Sequence, residues 1–300
     1  MITRSIYIGN PAYLKLKDGQ MYILCPETKQ AKGKVPVEDL GLLMLDHFQI
    51  TLSHQLIQKM MGNNVVVVSC DDHHLPHGIM LPLYGHTEHS DRVKDQLEAS
   101  EPLKKQLWKQ TIECKIENQK EVLRRLGNYY EPMLDYQNNV KSGDSTNMEG
   151  IAAQHYWKYL ISLDFLRQRL GDSPNQFFNF GYAVLRSIVA RAIVETGLLP
   201  VLGIFHKNKY NPYCLADDLM EPYRPFIDLL VMQWLKINPD TEELNKEFKA
   251  HILQIATKDV MIDDKTRPLL VAVKTTATSL YKCYTGEKRL ISYPELIGIG

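Results

Sequence analysis

The stretch FHKNKYNPYCLADDLMEPYRPFIDLL, residues 205–230, gathers His206, Asp217, Asp218, Glu221 and Asp228 with Lys207, Lys209 and Arg224. A histidine among carboxylates is a hard, mixed oxygen and nitrogen donor set suited to a divalent cation. Local pairing accounts for part of it. On a helix Asp217 and Glu221 share a face at i,i+4, Arg224 reaches Asp228 at the same interval, and Asp218 precedes Glu221 as a cap would. Pro222 and Pro225 complicate that helix, because neither has an N–H to donate. Capping does not require four carboxylates, so the segment is a candidate site.

A further carboxylate, Glu149, lies in STNMEGIAAQHYW. Thr146 followed by Glu149 before an apolar helical run is a capping-box pattern, on which reading Glu149 serves only backbone donors. His206, at the edge of GLLPVLGIF, reads by itself as a half-buried surface residue. No short spaced signature joins Glu149, His206 and Glu221, so spacing does not nominate them as a set. The histidines at 73, 74, 77, 86 and 89 lack local carboxylate or cysteine partners at ligand spacing and read as part of a solvated connector.

The elements that must position these residues fall into two regions. Residues 1–80 read mostly as strands: RSIYIGN, AYLKLKDGQMYILC, LMLDHFQIT and NNVVVVSC are short β-branched or aromatic runs. Asp18-Gly19 between alternating runs predicts a hairpin. LSHQLIQKMMG is the exception, a short helix leading into the valine strand. From about residue 88 helical spacing takes over, in SEPLKKQLWKQTIECKIENQKEVLRRLG, IAAQHYWKYLISLDFLRQRLG, FFNFGYAVLRSIVARAIVETG, PFIDLLVMQWLKI, TEELNKEFKAHILQIA and RPLLVAVKTTATSLYKCYTG. The expected division is a β-domain over 1–78, a linker over 79–90 and a helical domain over 91–300. The fold class is α+β, a small N-terminal β-domain with an inserted helix joined to a larger all-helical domain.

Composition bounds the function. With 44% hydrophobic and 23% charged residues among 300, the chain can bury a sizeable core. Thirty-five basic and 35 acidic residues balance, which weakens a nucleic-acid reading without excluding it, since a basic face can coexist with acids gathered at a metal. Five cysteines at 25, 70, 114, 214 and 283 stand singly, against a disulfide framework or structural zinc and for a reducing compartment. The N-terminus lacks the apolar core of a signal peptide, and runs such as GLLPVLGIF are too short to span a bilayer. A soluble, cytoplasmic protein with no membrane partner is expected.

The blocks NMEGIAAQHYW, FNFGYAVLRSIVARAIVETGLLPVLG and GIFHKNKYNPYCLADDLMEPYRPFID resemble the signature segments of the CRISPR-associated spacer-acquisition nuclease and integrase family, Cas1. The wording LADDLMEPYRP is most similar to the type II branch. The resemblance runs almost continuously over 147–230, and the β-then-helical order extends it to the full chain. It implies a metal-dependent DNA endonuclease and integrase, in which the 3′-hydroxyl of a captured fragment attacks a phosphodiester at the CRISPR repeat boundary. It implies Glu149, His206 and Glu221 as catalytic ligands of Mg²⁺ or Mn²⁺. Many branches carry aspartate as the third ligand, so Asp217 or Asp218 stands as a substitute for Glu221. It also implies a homodimer through the β-domains, two dimers around a dimeric Cas2 partner in a heterohexamer, and double-stranded DNA, prespacer and repeat, as substrate. Arg186, Arg191, Lys207, Lys209 and Arg224 are candidate DNA contacts, and Tyr210 and Tyr213 candidate stacking residues, beside the plainer reading of each as ordinary surface charge or core. Two other readings stand: a DNA-binding scaffold with a degenerate metal site, and a metal-dependent nucleotide phosphohydrolase.

Overall fold

The computed structural model describes residues 4–168, 171 and 173–296. The first region comprises β1 (Arg4–Ile8), β2 (Ala12–Lys17), β3 (Gln20–Leu24), β4 (Ala31–Pro36), β5 (Leu40–Leu45), β6 (Ile50–Leu52), α1 (His54–Gly62), β7 (Val66–Cys70) and β8 (Pro76–Met80). These strands form two four-stranded sheets, ordered β1-β5-β7-β8 and β4-β3-β2-β6. The Asp18-Gly19 hairpin is present: β2 and β3 pair antiparallel with Lys17 opposite Gln20. Both turn residues have positive φ, 51° and 72°, the mirror-image turn whose twist matches the strands. α1 starts behind Ser53, whose hydroxyl accepts from the Leu56 N–H, an N-cap.

The connector is more ordered than its composition suggests. Pro76–Met80 forms β8, paired antiparallel with β7, so a strand occupies its first half, and α2 (His89–Glu98) begins within its last residues. Parallel pairing of β1, β5 and β7 buries both faces of the sheet. Leu40, Leu43, Val65 and Val67 face one apolar cluster with α1 residues Leu56 and Met60. Leu42, Met44, Val66 and Val68 join the other, which is the core of the helical region. The sheet is therefore a wall common to two cores.

The helical region continues with α3 (Glu101–Arg125), α4 (Pro132–Asn138), α5 (Met148–Leu160), α6 (Asn175–Glu195), α7 (Cys214–Met220), α8 (Arg224–Ile237), α9 (Lys246–Leu253) and α10 (Leu269–Tyr284). It is not wholly helical, because β9 (Asp259–Ile262) and β10 (Lys265–Pro268) form a hairpin before α10. The helix read through IAAQHYWKYLISLDFLRQRLG stops at Leu160; residues 169 and 170 of that run lie outside the described part. α6 passes through the centre with 14 buried residues. It is long and apolar enough to cross a membrane, yet 78% of its most apolar stretch is buried inside the protein, as in the core helix of a globular domain. α3 is the other spine, its buried side carrying Trp108, Ile112, Ile116, Val122 and Leu123 together with Lys115, Asn118 and Gln119.

Candidate metal and DNA site

Glu149 enters the site because its helix is capped by another residue. Thr146 is exposed and makes no cap. The residue before α5, Asn147, has a left-handed backbone (φ 54°) and no capping side-chain bond. Asp144 supplies the cap, its carboxylate accepting from the N–H groups of Met148 at 2.8 Å and Glu149 at 3.0 Å. The capping-box reading is thus corrected: an acid from the preceding turn satisfies the orphan donors and complements the helix dipole, which releases the Glu149 side chain.

That side chain meets α3. Lys115 donates to Glu149 Oε1 at 2.6 Å, and its Nζ lies 2.7 Å from Glu221 Oε2. Glu221 stands in a short 3₁₀ turn, Glu221–Tyr223, between α7 and α8. Pro222 and Pro225 sit in the first turns of that 3₁₀ segment and of α8, where a missing N–H costs little. The other Glu221 oxygen, Oε1, contacts Arg224 at 2.9 Å. Burial alone would raise the Glu221 pKa; Arg224 and Lys115 outweigh it and hold the carboxyl below its usual range. Burial likewise favours a neutral Lys115, but Glu221 and Glu149 hold it charged, its pKa above the ordinary value. The anticipated Arg224–Asp228 pair is replaced by Arg224–Glu221. Asp228 instead accepts from the Tyr156 and Tyr182 hydroxyls at 3.0 and 2.6 Å.

His206 approaches from the loop before α7. Its Nδ1 is 2.5 Å from Asp218 Oδ1, and Asp218 also accepts the Phe205 N–H at 2.9 Å. The Asp218 hydrogen bond raises the His206 pKa above its usual value against the effect of burial, and the charges of Glu221 and Glu149 act in the same direction. The loop can fold this tightly because residue 203 is glycine. A Cβ there would sit 2.4 Å from the His206 carbonyl oxygen and 2.8 Å from Asp218 Oδ2. Trp108 of α3 underlies the loop, stacked on Phe205 at 4.4 Å and edge-on to His206 at 5.6 Å.

The two substitutes for Glu221 are otherwise engaged. Asp217 binds the Arg186 guanidinium through both oxygens at 2.6 and 3.0 Å and also accepts from Asn211. Asp218 holds His206. Two observations bear on whether the residues fit a cation. Glu149 and Glu221 already share one, the ammonium of Lys115. Glu221 Oε2 is buried and receives no directed hydrogen bond among the described residues, so the 2.7 Å charge contact is what neutralises it. Among the described residues no three His, Cys, Asp or Glu side chains stand close enough together to hold a metal; the lysine occupies the position between the two acids. In donor chemistry alone, two carboxylates and an imidazole committed through Nδ1 are types that Mg²⁺ or Mn²⁺ accepts; in this structure the two acids close on the Lys115 ammonium.

The basic candidates divide. Arg191 is 8% exposed, paired with Glu195 at 3.3 Å, and donates to the Asn64 carbonyl. It ties α6 to the turn before β7 and is not a surface contact, which corrects its reading as a DNA ligand. Arg186 and Arg224 line a cleft of about 550 Å³ with Lys115, Trp157 and Arg167. Lys207 is exposed and pairs with Glu101 at 3.2 Å. Lys209 is also exposed, over the ring of Tyr210, which is 81% exposed; Tyr213 packs against the core. Lys115, Trp108, Asp144 and Asn118 escaped the sequence reading. Asn118 donates to the Pro222 carbonyl at 2.8 Å and so fixes the turn bearing Glu221. A lysine, an asparagine and a glutamine on the apolar stripe of α3 were the available signal.

A strand-rich first region shares a wall with a helical second one, and Glu149 is presented by a helix, Glu221 by a 3₁₀ turn and His206 by a loop. The fold matches a casposase bound to integration product (TM-score 0.80, 20% identity, 97% of this chain and 92% of the other). It also matches a chain of a Cas6-RT-Cas1–Cas2 complex (TM-score 0.75, 16% identity, 98% and 36%). The family model described as CRISPR associated protein Cas1 matches residues 6–265. A CRISPR-associated endonuclease Cas1 from Neisseria meningitidis serogroup C is 31% identical over 300 residues, covering 99% of this chain and 97% of its own. The chain belongs to the Cas1 family.

Proposed function

We propose that the protein is a divalent-metal-dependent DNA endonuclease and integrase of CRISPR adaptation, with Glu149, His206 and Glu221 holding Mg²⁺ or Mn²⁺. The observation that carries this reading is the closure of Glu149 and Glu221, remote in sequence, on a single cation at 2.6 and 2.7 Å. A bound divalent ion would supply Lewis-acid stabilisation of charge on phosphodiester oxygens. The chain's own part is positioning. Asp218 fixes the imidazole, Asp144 frees Glu149, and Asn118 and Arg224 hold Glu221. No side chain is required as nucleophile, because phosphoryl transfer relies on positioning and electrostatics. The attacking group is the 3′-hydroxyl of a prespacer, and water in its place makes the same site a nuclease. The casposase bound to integration product supports a DNA substrate, and the Cas1–Cas2 assembly supports a Cas2 partner. Homodimerisation through the β-region and a heterohexamer with Cas2 complete the proposal, for a protein acting in the cytoplasm.

The test joins 3′-hydroxyl-ended duplex DNA to a supercoiled repeat-bearing plasmid with Mn²⁺, with and without chelator. Chelator-sensitive joining that Glu149→Ala and His206→Ala abolish, with DNA binding retained, is expected. One observation favours a second reading: Lys115 already neutralises the acids, as a degenerate DNA-binding scaffold would have it. Binding without joining at any metal concentration would select that scaffold, and mononucleotide release with DNA untouched would select a nucleotide phosphohydrolase.

A further inference from the structure

Lys115 is a buried charge that the proposed chemistry leaves without a task. It projects from the middle of α3, its side chain 10% exposed, between Glu149 at 25% and Glu221 at 4%. Arg224 contacts the remaining Glu221 oxygen. The group thus contains two anions and two cations and is neutral as it stands. Adding a divalent ion to it would leave an uncompensated charge of about +2 in a buried place, which is strongly unfavourable. Release of one resident cation removes much of that cost. Of the two, Arg224 is fixed by its proximity along the chain to Glu221. Lys115 is a compact ammonium on a flexible four-carbon stem, and it lines the 550 Å³ cleft with Arg186 and Arg224, so it has space to swing into.

We propose that Lys115 is a resident counter-ion. It clamps Glu149 and Glu221 together in the metal-free protein and is displaced toward the cleft when a divalent cation binds, so that metal loading is a cation exchange. Once displaced, its ammonium joins Arg186 and Arg224 in facing whatever phosphate enters. The inference rests on the metal-site reading above. It gives the lysine the opposite sign from that of a supporting residue: its removal should tighten metal binding.

The experiment compares wild type, Lys115→Met and Glu149→Ala by Mn²⁺ titration calorimetry, and by thermal melts in EDTA and in Mn²⁺. Lys115→Met should melt well below wild type in EDTA, because Glu149 loses its cation and the buried Glu221 one of its two. It should recover the wild-type Tm on adding Mn²⁺ and bind Mn²⁺ about tenfold or more tightly, a gain of about 1.4 kcal/mol. If the variant is unfolded in EDTA, Mn²⁺-dependent recovery of its far-UV circular dichroism gives the same readout. Mn²⁺ affinity equal to or weaker than wild type overturns the counter-ion role. Where wild type binds Mn²⁺ and Glu149→Ala does not, that result leaves the metal site standing. Absence of Mn²⁺ binding in both wild type and Lys115→Met sinks the two readings together.

Discussion

Asp218 and His206 form one hydrogen-bonded unit, Oδ1 to Nδ1 at 2.5 Å, in which the carboxylate is fully buried and the imidazole side chain is 43% exposed. The acid also accepts the backbone N–H groups of Phe205 and His206. Burial raises its pKa, against the imidazole hydrogen bond and the backbone donors that stabilise the anion. This arrangement commits Nδ1 and leaves Nε2 as the nitrogen available to a ligand, the usual role of a carboxylate behind a metal-bound histidine.

Replacing Asp218 with asparagine keeps the shape and removes the charge that fixes the tautomer. The expected outcome is a folded protein whose Mn²⁺ affinity falls about 10–100-fold. Titration calorimetry at neutral pH measures it, and unchanged affinity would remove Asp218 from the site.

Asp228 makes a stability prediction independent of metal. Burial pushes its pKa up to about 6 despite the Tyr182 and Tyr156 hydroxyls. A carboxyl whose folded pKa exceeds its unfolded value binds more protons when folded. Its ionisation therefore costs stability as pH rises from about 4 through 6, on the order of 3 kcal/mol in total. Asp228→Asn removes that loss. Denaturant unfolding at pH 4.5 and pH 7 should show wild type losing stability relative to the variant as pH rises; parallel curves would refute the assignment.

The basic residues separate by salt dependence. Lys207→Ala and Lys209→Ala should each weaken DNA binding and reduce the log–log salt slope by about 0.9 per lost phosphate contact. Arg191→Ala should leave the slope unchanged and instead cost about 2 kcal/mol or more of stability, since it breaks buried contacts to Glu195 and Asn64. A salt slope altered by Arg191→Ala alone would return that residue to the DNA surface.

Local patterns were readable wherever chemistry a few residues long decides the outcome. The Asp18-Gly19 turn, the Ser53-capped helix α1 and the apolar stripes of α6, α8 and α10 follow from backbone preference and side-chain period alone. Misreadings arose in the histidine-rich connector and in the run that follows α5. Pro76–Met80 becomes a strand because β7 offers an edge to pair with, and IAAQHYWKYLISLDFLRQRLG stops being helical at Leu160.

The sequence by itself determined a strand-rich region followed by a helical one. It also carried the family blocks that nominate Glu149, His206 and Glu221, since both are written in contiguous residues. Only the tertiary structure decided which group each acid pairs with. The sequence points to Thr146 as the cap of α5, where the fold uses Asp144, and it leaves Asp217 and Asp218 as substitutes for Glu221. Packing of α3 against α5 and the Glu221 turn settles their partners, because a buried carboxylate must find a charge or a donor; Lys115 and Arg186 come from other helices, while His206 comes from the loop just before α7. Burial, and pairing between residues as remote as Lys115 and Glu221, are properties of convergence, which no single stretch of chain contains.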